Sequence, residues 1–184
     1  SQRAIPSSLM EPKIKNRSRL FYQMANIEAS RIKGKNNWAV LLGTDGFITE
    51  GTGDNLFFVK DGIVFTPEPR DILVGISRNY VMDLCDEMGI QCIEKNLETY
   101  DAYTSDECFM TATPFCLLPV LTFNGLKIGN GKMGEITQKI HDQWSKNVGL
   151  NIFQQIRDYS DECKVLNKNQ PTPYQFNPVD EETI

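Results

Sequence analysis

The stretch Asp45-Gly-Phe-Ile-Thr-Glu-Gly-Thr-Gly-Asp-Asn55 places a glutamate and an asparagine among glycines, between two aliphatic runs. Val40-Leu41-Leu42 leads into it, and Leu56-Phe57-Phe58-Val59 leads out of it towards a second turn at Asp61-Gly62. Asp-Gly between apolar runs is the strongest short-range signal for a β-hairpin. Glycines within a strand indicate a bulge or a close approach of the backbone to another group. We therefore expect Glu50 to be held on a rigid sheet, as a candidate for binding or catalysis.

The composition is typical of a globular domain and argues against nucleic-acid and membrane proteins. The 184 residues are 40% hydrophobic and 23% charged, with a formal net charge of −5, and this length suits one domain with its own core. The negative charge argues against nucleic-acid binding. No apolar run approaches the roughly 20 residues that a membrane span needs, and residues 1–6 lack the apolar core of a signal peptide. We expect a cytoplasmic protein.

Cysteine and histidine usage argues against metal sites and against catalysis by histidine. The cysteines are Cys85, Cys92, Cys108, Cys116 and Cys163. No pair has the C-x-x-C spacing, and reduced thiols are the simplest interpretation for a cytosolic protein. The single histidine, His141, lies within a helical apolar pattern, which predicts a structural role. We therefore expect no metal site and no histidine-based hydrolase triad.

Apolar spacing predicts helices over 19–32, 77–88 and 135–148, with a meander of short strands over 38–66 and further strands near 91–94, 107–112 and 117–123. After Tyr159 the composition becomes rich in Asn, Gln, Pro, Asp and Glu. Such a composition buries too little apolar surface to fold alone. We therefore expect one domain over 1–159 and a flexible polar tail over 160–184.

A second segment, Leu73-Val-Gly-Ile-Ser-Arg78, predicts an anion site where a helix begins. A glycine just before a helix lets the backbone approach a ligand, and the free N–H groups of the first turn favour an anion. Ser77 can cap this helix, and taken alone the segment is more simply a capped helix start. With Glu50 and a lysine near the chain start, the set suits a phosphorylated aldehyde cofactor.

Together the motifs resemble those of the class IV aminotransferases, the pyridoxal-phosphate group that includes branched-chain and D-amino-acid aminotransferases. In chain order they are Ile14-Lys15 with Glu28-Ala29; Asp45-Gly46-x3-Glu50-Gly51-x3-Asn55-Leu56-Phe57; Asp61-Gly62-x3-Thr66-Pro67; Leu73-x-Gly75-Ile76-Ser77-Arg78; Asp106-Glu107-x-Phe109-x4-Pro114; Leu118-Pro119-Val120; and Gly129-x-Gly131. Their order and spacing hold from about residue 12 to residue 148. The resemblance implies an α+β fold, with a mixed, barrel-like β-sheet flanked by helices.

The resemblance also implies roles for residues around the cofactor ring. Lys15 would form the internal aldimine and move the proton between substrate and cofactor, Glu50 would pair with the ring nitrogen, and Leu73 would pack on the ring. Lys13 is the alternative lysine, but the spacing to Glu28-Ala29 favours Lys15. The implied cofactor-binding residues are Lys15, Glu50, Asn55, Leu73, Gly75, Ile76, Ser77 and Thr113.

The phosphate and substrate contacts show one departure from the branched-chain enzymes. The N–H groups of Ile76 and Ser77, with the Thr113 hydroxyl, would hold the phosphate, and Thr113, Pro114 and Phe115 would contact the substrate. Pro114 stands where those enzymes offer an N–H to the substrate carboxylate, and proline has none. Phe115 adds bulk beside it. The substrate is therefore an L-amino acid held differently, a D-amino acid or an amine. Arg19-Leu20 replaces the usual Asn-Tyr, so we assign no contact to the ring oxygen.

The implied function is transfer of an amino group from an amino acid or amine to a 2-oxo acid, by a cytoplasmic homodimer with its site near the subunit boundary. Residues 1–159 correspond to the large, C-terminal, cofactor-binding domain of the family, and we expect the smaller N-terminal domain to be missing. Two alternatives stay open. One is an aminodeoxychorismate lyase reaction on the same fold and cofactor, and the other is a truncated, non-catalytic domain.

Overall fold

A mixed five-stranded sheet with helices around it forms the centre of the computed structural model, which describes residues 3–16, 20–34 and 36–166, the last four by their backbone alone. In chain order the elements are α1 (Leu20–Ser30), β1 (Val40–Leu42), β2 (Ile48–Gly51), β3 (Asn55–Lys60), β4 (Ile63–Pro67), a short 3-10 helix (Pro69–Asp71), α2 (Ile76–Glu87), β5 (Cys92–Lys95), α3 (Thr99–Thr104), β6 (Glu107–Ala112), β7 (Cys116–Pro119), β8 (Thr122–Phe123), β9 (Leu126–Lys127), α4 (Glu135–Val148) and α5 (Ile152–Leu166).

The strand order of the main sheet is β5-β4-β3-β6-β7. Only β4 and β5 run parallel, and the other neighbours are antiparallel. Two-stranded ribbons, β1-β2 and β8-β9, complete the strands found between residues 36 and 166. The expected α+β fold with a mixed sheet flanked by helices is confirmed, although the described strands do not close into a barrel.

Strand β3 lies at the middle of the sheet and is buried on both faces. Because side chains alternate along a strand, Phe57 joins the core that α2, α4 and α5 cover, whereas Phe58 joins a second core on the opposite face. Phe57 also stacks on Phe109, its register partner in β6, with ring centroids 4.9 Å apart. This double burial makes β3 a rigid base for the loop that precedes it.

The predicted hairpin turns are confirmed. Asp61 and Gly62 have φ values of 49° and 81°, the left-handed pair that a two-residue turn between right-twisted strands requires. Asn124 and Gly125 repeat the pattern with 48° and 80°. Gly46 adopts φ 94° in the turn between β1 and β2.

Several helix predictions need correction. Helix α1 begins at Leu20, with Arg19 outside the described residues, and Leu20 and Met24 of its predicted apolar face are exposed. Helices α3 and α5 have no counterpart in the sequence prediction. A capping box between Glu98 and Asp101 starts the short α3. Within α5, a mostly polar sequence carries a sparse apolar stripe that packs on the core.

Helix α5 runs from Ile152 to Leu166 and therefore crosses the boundary expected at residue 160. The remainder of the predicted tail, residues 167–184, lies outside the described part of the chain. His141 is buried in α4 and stacks on Phe153, with centroids 3.4 Å apart. Among the described residues, no helix is long and apolar enough to cross a membrane.

Candidate active site

A cavity of about 540 Å³ opens where four parts of the chain meet. These are the N-terminal segment (residues 5–16), the β2–β3 loop, the start of α2 and the end of β6. It brings together all but one of the predicted site residues. Those that line it are Lys15, Glu50, Asn55, Leu73, Gly75, Ile76, Ser77, Thr113 and Pro114. Residues far apart in sequence are therefore neighbours around one space.

Glu50 lies on a bulged strand. Val40 pairs with Gly51 and Leu42 with Ile48, so β2 has one more residue than β1 between these pairs. Extra residues of this kind redirect side chains beside functional sites, and Glu50 is turned inward, with 7% of its surface exposed. The bulge or close approach predicted from the glycines is confirmed.

Among the described residues, three donors hold the Glu50 carboxylate. The Leu73 N–H donates to its Oε2 at 2.9 Å, the Asn55 Nδ2 donates to the same oxygen at 3.4 Å, and the Tyr22 hydroxyl donates to Oε1 at 2.9 Å. Hydrogen bonds to an ionised acceptor favour the charged form. This geometry suits a fixed carboxylate that faces a ligand in the cavity.

Asn55 joins the carboxylate to the segment before α2. Besides its contact with Glu50, its Nδ2 donates to the Leu73 carbonyl at 2.9 Å. Gly75 lies against it, and a Cβ built at Gly75 would be 2.3 Å from the Asn55 Oδ1. A side chain at position 75 would therefore displace Asn55, which explains why glycine fits at this position.

Helix α2 presents its first turn to the cavity. Gly75 is the N-cap residue, with φ −71° and ψ 143°, and no side chain in the described part of the chain caps this helix end. The prediction that Ser77 caps the helix is therefore wrong, because Ser77 lies one position inside the helix start at Ile76. The Ile76 side chain is 87% exposed. An N-terminal turn without a side-chain cap leaves N–H groups available to an anion.

The two candidate lysines lie in different surroundings. The exposed side chain of Lys15 lines the cavity. Lys13 donates to the Arg70 carbonyl at 3.1 Å and pairs with Glu11 at 3.2 Å, and it is not among the lining residues. The geometry favours Lys15 as the amine that serves the cavity.

The three predicted substrate contacts diverge. Thr113 and Pro114 follow β6 and line the cavity with exposed side chains. Phe115 lies elsewhere: it packs against the core on the second face of the sheet, and its ring meets the edge of Trp38 at 5.7 Å between centroids. A direct substrate contact by Phe115 therefore has no support from the cavity.

The lining also contains residues outside the sequence prediction, and three polar ones among them are Tyr22, Asp54 and Thr111. Asp54 and Thr111 are only 6% and 1% exposed. Within the described part of the chain, the Asp54 Oδ2 and the Thr111 Oγ1 have no hydrogen-bond partner. Burial raises the pKa of Asp54 to about 7, although a hydrogen bond from the Gly53 backbone lowers it in part. The position of Asp54 beside Asn55 is the one sequence signal for it.

A family model described as Amino-transferase class IV matches residues 1–123. The chain belongs to the class IV aminotransferases. This match covers the N-terminal segment, the hairpins, α2 and β6, which are the elements that form the cavity.

Relatives and solved structures agree with the family. A putative branched-chain-amino-acid aminotransferase of Methanocaldococcus jannaschii is 39% identical over 145 residues, which are 78% of this chain and 50% of the relative. The crystal structure of a T.th. branched-chain amino acid aminotransferase with pyridoxamine 5'-phosphate matches with a TM-score of 0.74 and 29% identity, over 78% of this chain and 48% of the other. That of the branched-chain aminotransferase from Thermoproteus uzoniensis with norvaline gives 0.73 and 31%, over 79% and 48%. This class IV chain thus spans about half the length of the relatives that it matches.

Proposed function

We propose that this chain is the cofactor-binding part of a pyridoxal 5'-phosphate-dependent aminotransferase, which moves an amino group between an amino acid or amine and a 2-oxo acid. The observation that carries the proposal is the fixed Glu50 carboxylate, held by the Leu73 N–H, in the same cavity as the Lys15 amine. Two of the matched branched-chain aminotransferase structures add support, since one is with pyridoxamine 5'-phosphate and the other is with norvaline.

The residues present fit such a cofactor. A ring nitrogen needs a nearby carboxylate, an aldehyde needs a primary amine, and a phosphate needs N–H donors. Glu50, Lys15 and the first turn of α2 supply these three around one cavity. Gly75 leaves the space beside Asn55 open. When bound, the cofactor supplies an electron-accepting ring and an aldehyde that exchanges its oxygen for an amino group.

Each protein group has a separate task in this proposal. Glu50 keeps a proton on the ring nitrogen, because a buried carboxylate with fixed donors stabilises a facing cation. The Lys15 Nζ would accept the proton that the substrate carbon loses and would donate a proton in the later step, as general acid–base catalysis requires. The N–H groups of Ile76 and Ser77, with the Thr113 hydroxyl, hold the phosphate.

The identity of the amino donor depends on the end of β6. Pro114 lines the cavity and has no N–H to offer a substrate carboxylate. We propose that L-amino acids with apolar side chains, D-amino acids and amines be compared as donors, with a 2-oxo acid as acceptor. Efficient turnover of L-leucine by the protein would show that the carboxylate is bound without an N–H at position 114.

The assembly that we propose is a homodimer with the site near the subunit boundary. Large apolar side chains of α1 and of the start of α2 are exposed, among them Leu20 at 78% and Ile76 at 87%. Exposed apolar surface of this kind favours association. Light scattering during size-exclusion chromatography tests it, and a monomer at all concentrations would contradict it.

A titration with pyridoxal 5'-phosphate tests the function. The chain should develop a visible absorbance band that borohydride removes, and peptide mapping should then find the cofactor on Lys15. Lys15→Ala should lose the band. Lys13→Ala is the matched control, because the same residue type two positions away lies outside the cavity lining, and it should keep the band.

Other results would identify a different function. A band that survives in Lys15→Ala would show that another amine reacts with the cofactor. Absence of a band in the wild-type chain would contradict cofactor binding by this part of the protein and would favour the non-catalytic alternative. A band without amino transfer, but with turnover of aminodeoxychorismate, would favour the lyase alternative.

A further inference from the structure

Arg78 is a buried cation in the first turn of α2 that has no task in the proposed function. Its exposed fraction is 1%, and it is the largest fully buried side chain by volume among the described residues. Charged side chains are rarely buried without a specific role, because removal of a charge from water is costly. Arg78 is not among the residues that line the cavity, so any effect on a ligand must pass through other groups.

Stabilisation of the helix alone does not explain this residue. The partial positive charge of a helix N-terminus disfavours a cation in the first turn. The first turn of α2 contains no acidic residue, and no side chain of the described residues caps it. No residue of this turn therefore offsets the positive charge at the helix start, as is suitable for a turn that receives an anion.

The Arg78 guanidinium joins α2 to two strands of the main sheet. Its Nη2 donates to the Pro67 carbonyl at 3.1 Å, at the end of β4, and to the Glu94 Oε1 at 2.5 Å, on β5. Thr66 of β4 and Glu94 are partners in the parallel register of these strands. One nitrogen atom therefore ties the first turn of α2 to two neighbouring strands.

A different set of contacts fixes the segment before α2 on the cavity side. The Asn55 Nδ2 donates to the Leu73 carbonyl, and the Leu73 N–H donates to Glu50, both at 2.9 Å. Together with the Arg78 contacts, these hydrogen bonds set the distance between the Glu50 carboxylate and the N–H groups at the start of α2. A rigid ligand that must reach both ends depends on this distance, since a misplacement of about 1 Å in a site can cost about 100-fold in rate.

We propose that Arg78 is a positioning residue for the phosphate-binding turn, an inference that rests on the proposed function. It acts through the backbone N–H groups of Ile76 and Ser77, which it holds at a fixed place relative to Glu50. The Glu94 carboxylate, 2.5 Å from the guanidinium, offsets its charge, so the effect on phosphate comes from geometry rather than from net charge. Binding of a phosphate group should therefore depend on Arg78, whereas binding of the ring should not.

Inorganic phosphate tests the inference on the chain without cofactor, with sodium chloride at equal ionic strength as reference. The amide NMR signals of Ile76 and Ser77 should shift when phosphate is added to the wild type. Arg78→Met should weaken this binding about 10- to 100-fold, because displacement of the turn loses a hydrogen bond to a charged group. The Glu94 side chain left behind is 37% exposed, so water can solvate its charge.

A pair of ligands separates positioning from a general structural role. Pyridoxal 5'-phosphate and pyridoxal share the ring and the aldehyde, and only the first carries a phosphate. Absorbance titrations should show that Arg78→Met weakens binding of pyridoxal 5'-phosphate about 10- to 100-fold and that of pyridoxal less than about twofold. A general loss of structure would weaken both to the same extent. Thermal unfolding checks that the variant is folded at the temperature of the titrations.

Glu94→Ala separates geometry from charge and provides a second variant if Arg78→Met does not fold. Without its partner on β5, Arg78 holds the turn less firmly, so phosphate binding should weaken about 2- to 10-fold. A pure charge effect would tighten phosphate binding instead, because a negative charge is removed. Asp83→Ala is the matched control, since it removes the same charge from an exposed position on α2, and it should leave the affinity for phosphate unchanged.

Several results would overturn the inference. One is an equal loss of affinity for pyridoxal 5'-phosphate and pyridoxal in Arg78→Met, or no loss for either. Others are tighter phosphate binding by Glu94→Ala, and amide signals of Ile76 and Ser77 that do not respond to phosphate in the wild type. Each of these can occur while the wild type still forms its absorbance band with pyridoxal 5'-phosphate. Absence of that band would instead contradict the proposed function, and the inference with it.

Discussion

Gly75→Ala tests whether the segment before α2 holds the site together. The φ of Gly75, −71°, is open to alanine, so the backbone need not strain. The added Cβ would be 2.3 Å from the Asn55 Oδ1, whereas ordinary contacts begin at 3.4 Å. The difference, 3.4 Å less 2.3 Å, requires Asn55 to move by about 1 Å.

The displacement has a calculable consequence. The Asn55 Nδ2 donates to the Leu73 carbonyl at 2.9 Å and to Glu50 at 3.4 Å, and a shift of about 1 Å takes these contacts beyond hydrogen-bonding range. Loss of a buried amide's partners lowers stability by about 2–4 kcal/mol. Alanine also reduces the conformational entropy of the unfolded chain, which stabilises the folded protein by about 0.4–1 kcal/mol. The net loss is therefore about 1–3 kcal/mol, or roughly 2–10 °C in Tm for a chain of this size.

Gly43→Ala is the matched control for this substitution. A Cβ at Gly43 would be 2.5 Å from the Asp45 Oδ1, a similar conflict. Asp45 is exposed and can swing away, at the loss of a surface ion pair with Arg70 that is worth about 0–1 kcal/mol. Its Tm should therefore stay close to that of the wild type.

Circular dichroism melting curves and pyridoxal 5'-phosphate titrations measure both variants. Gly75→Ala should melt earlier and bind the cofactor about tenfold more weakly, since Asn55 no longer orients Glu50. Equal melting temperatures and equal cofactor affinities for the two variants would refute the role given to Gly75 and Asn55.

Two other substitutions address stability. Burial raises the pKa of Asp54 from the ordinary value of 3.8 to about 7, so ionisation of Asp54 increasingly opposes folding as the pH rises between these values. Asp54→Asn should therefore raise the free energy of unfolding at pH 8 by up to about 4 kcal/mol and change it little at pH 4. Urea denaturation at both pH values measures this difference. Glu107 accepts hydrogen bonds from the N–H groups of Ile136 and Thr137 and from the Thr137 hydroxyl, so Glu107→Gln should lower stability by about 2–3 kcal/mol. Glu135→Gln, exposed at the same helix end, should change it by less than about 0.5 kcal/mol, and equal losses for both would contradict the Glu107 contacts.

Local chemistry explains which features the sequence predicts well. The Asp61-Gly62 turn depends on the left-handed conformation of two adjacent residues, and that requirement is visible in the residue types. The bulge beside Glu50 likewise follows from nearby glycines. Helix α4 shows a strong apolar period and ends at Val148, followed by the cap residue Gly149, which has φ 67°.

Tertiary contacts explain what the sequence does not predict. Helix α5 carries few apolar residues, and its stripe becomes apparent only where Ile152 and Ile156 meet the core. Phe115 follows Pro114 directly, yet the chain turns so that only Pro114 lines the cavity. The buried oxygens of Asp54 and Thr111 that have no hydrogen-bond partner among the described residues cannot be predicted from residue type, because pairing depends on neighbouring strands.

The central claim is that Glu50 faces the ring nitrogen of a bound cofactor and keeps it protonated. Nitrogen NMR of the chain loaded with pyridoxal 5'-phosphate labelled at the ring nitrogen measures this protonation directly. The wild type and Asp54→Asn should both show a protonated nitrogen at neutral pH, and Glu50→Gln should show a neutral one. A nitrogen that stays protonated in Glu50→Gln, or one that is neutral in the wild type, would contradict the account.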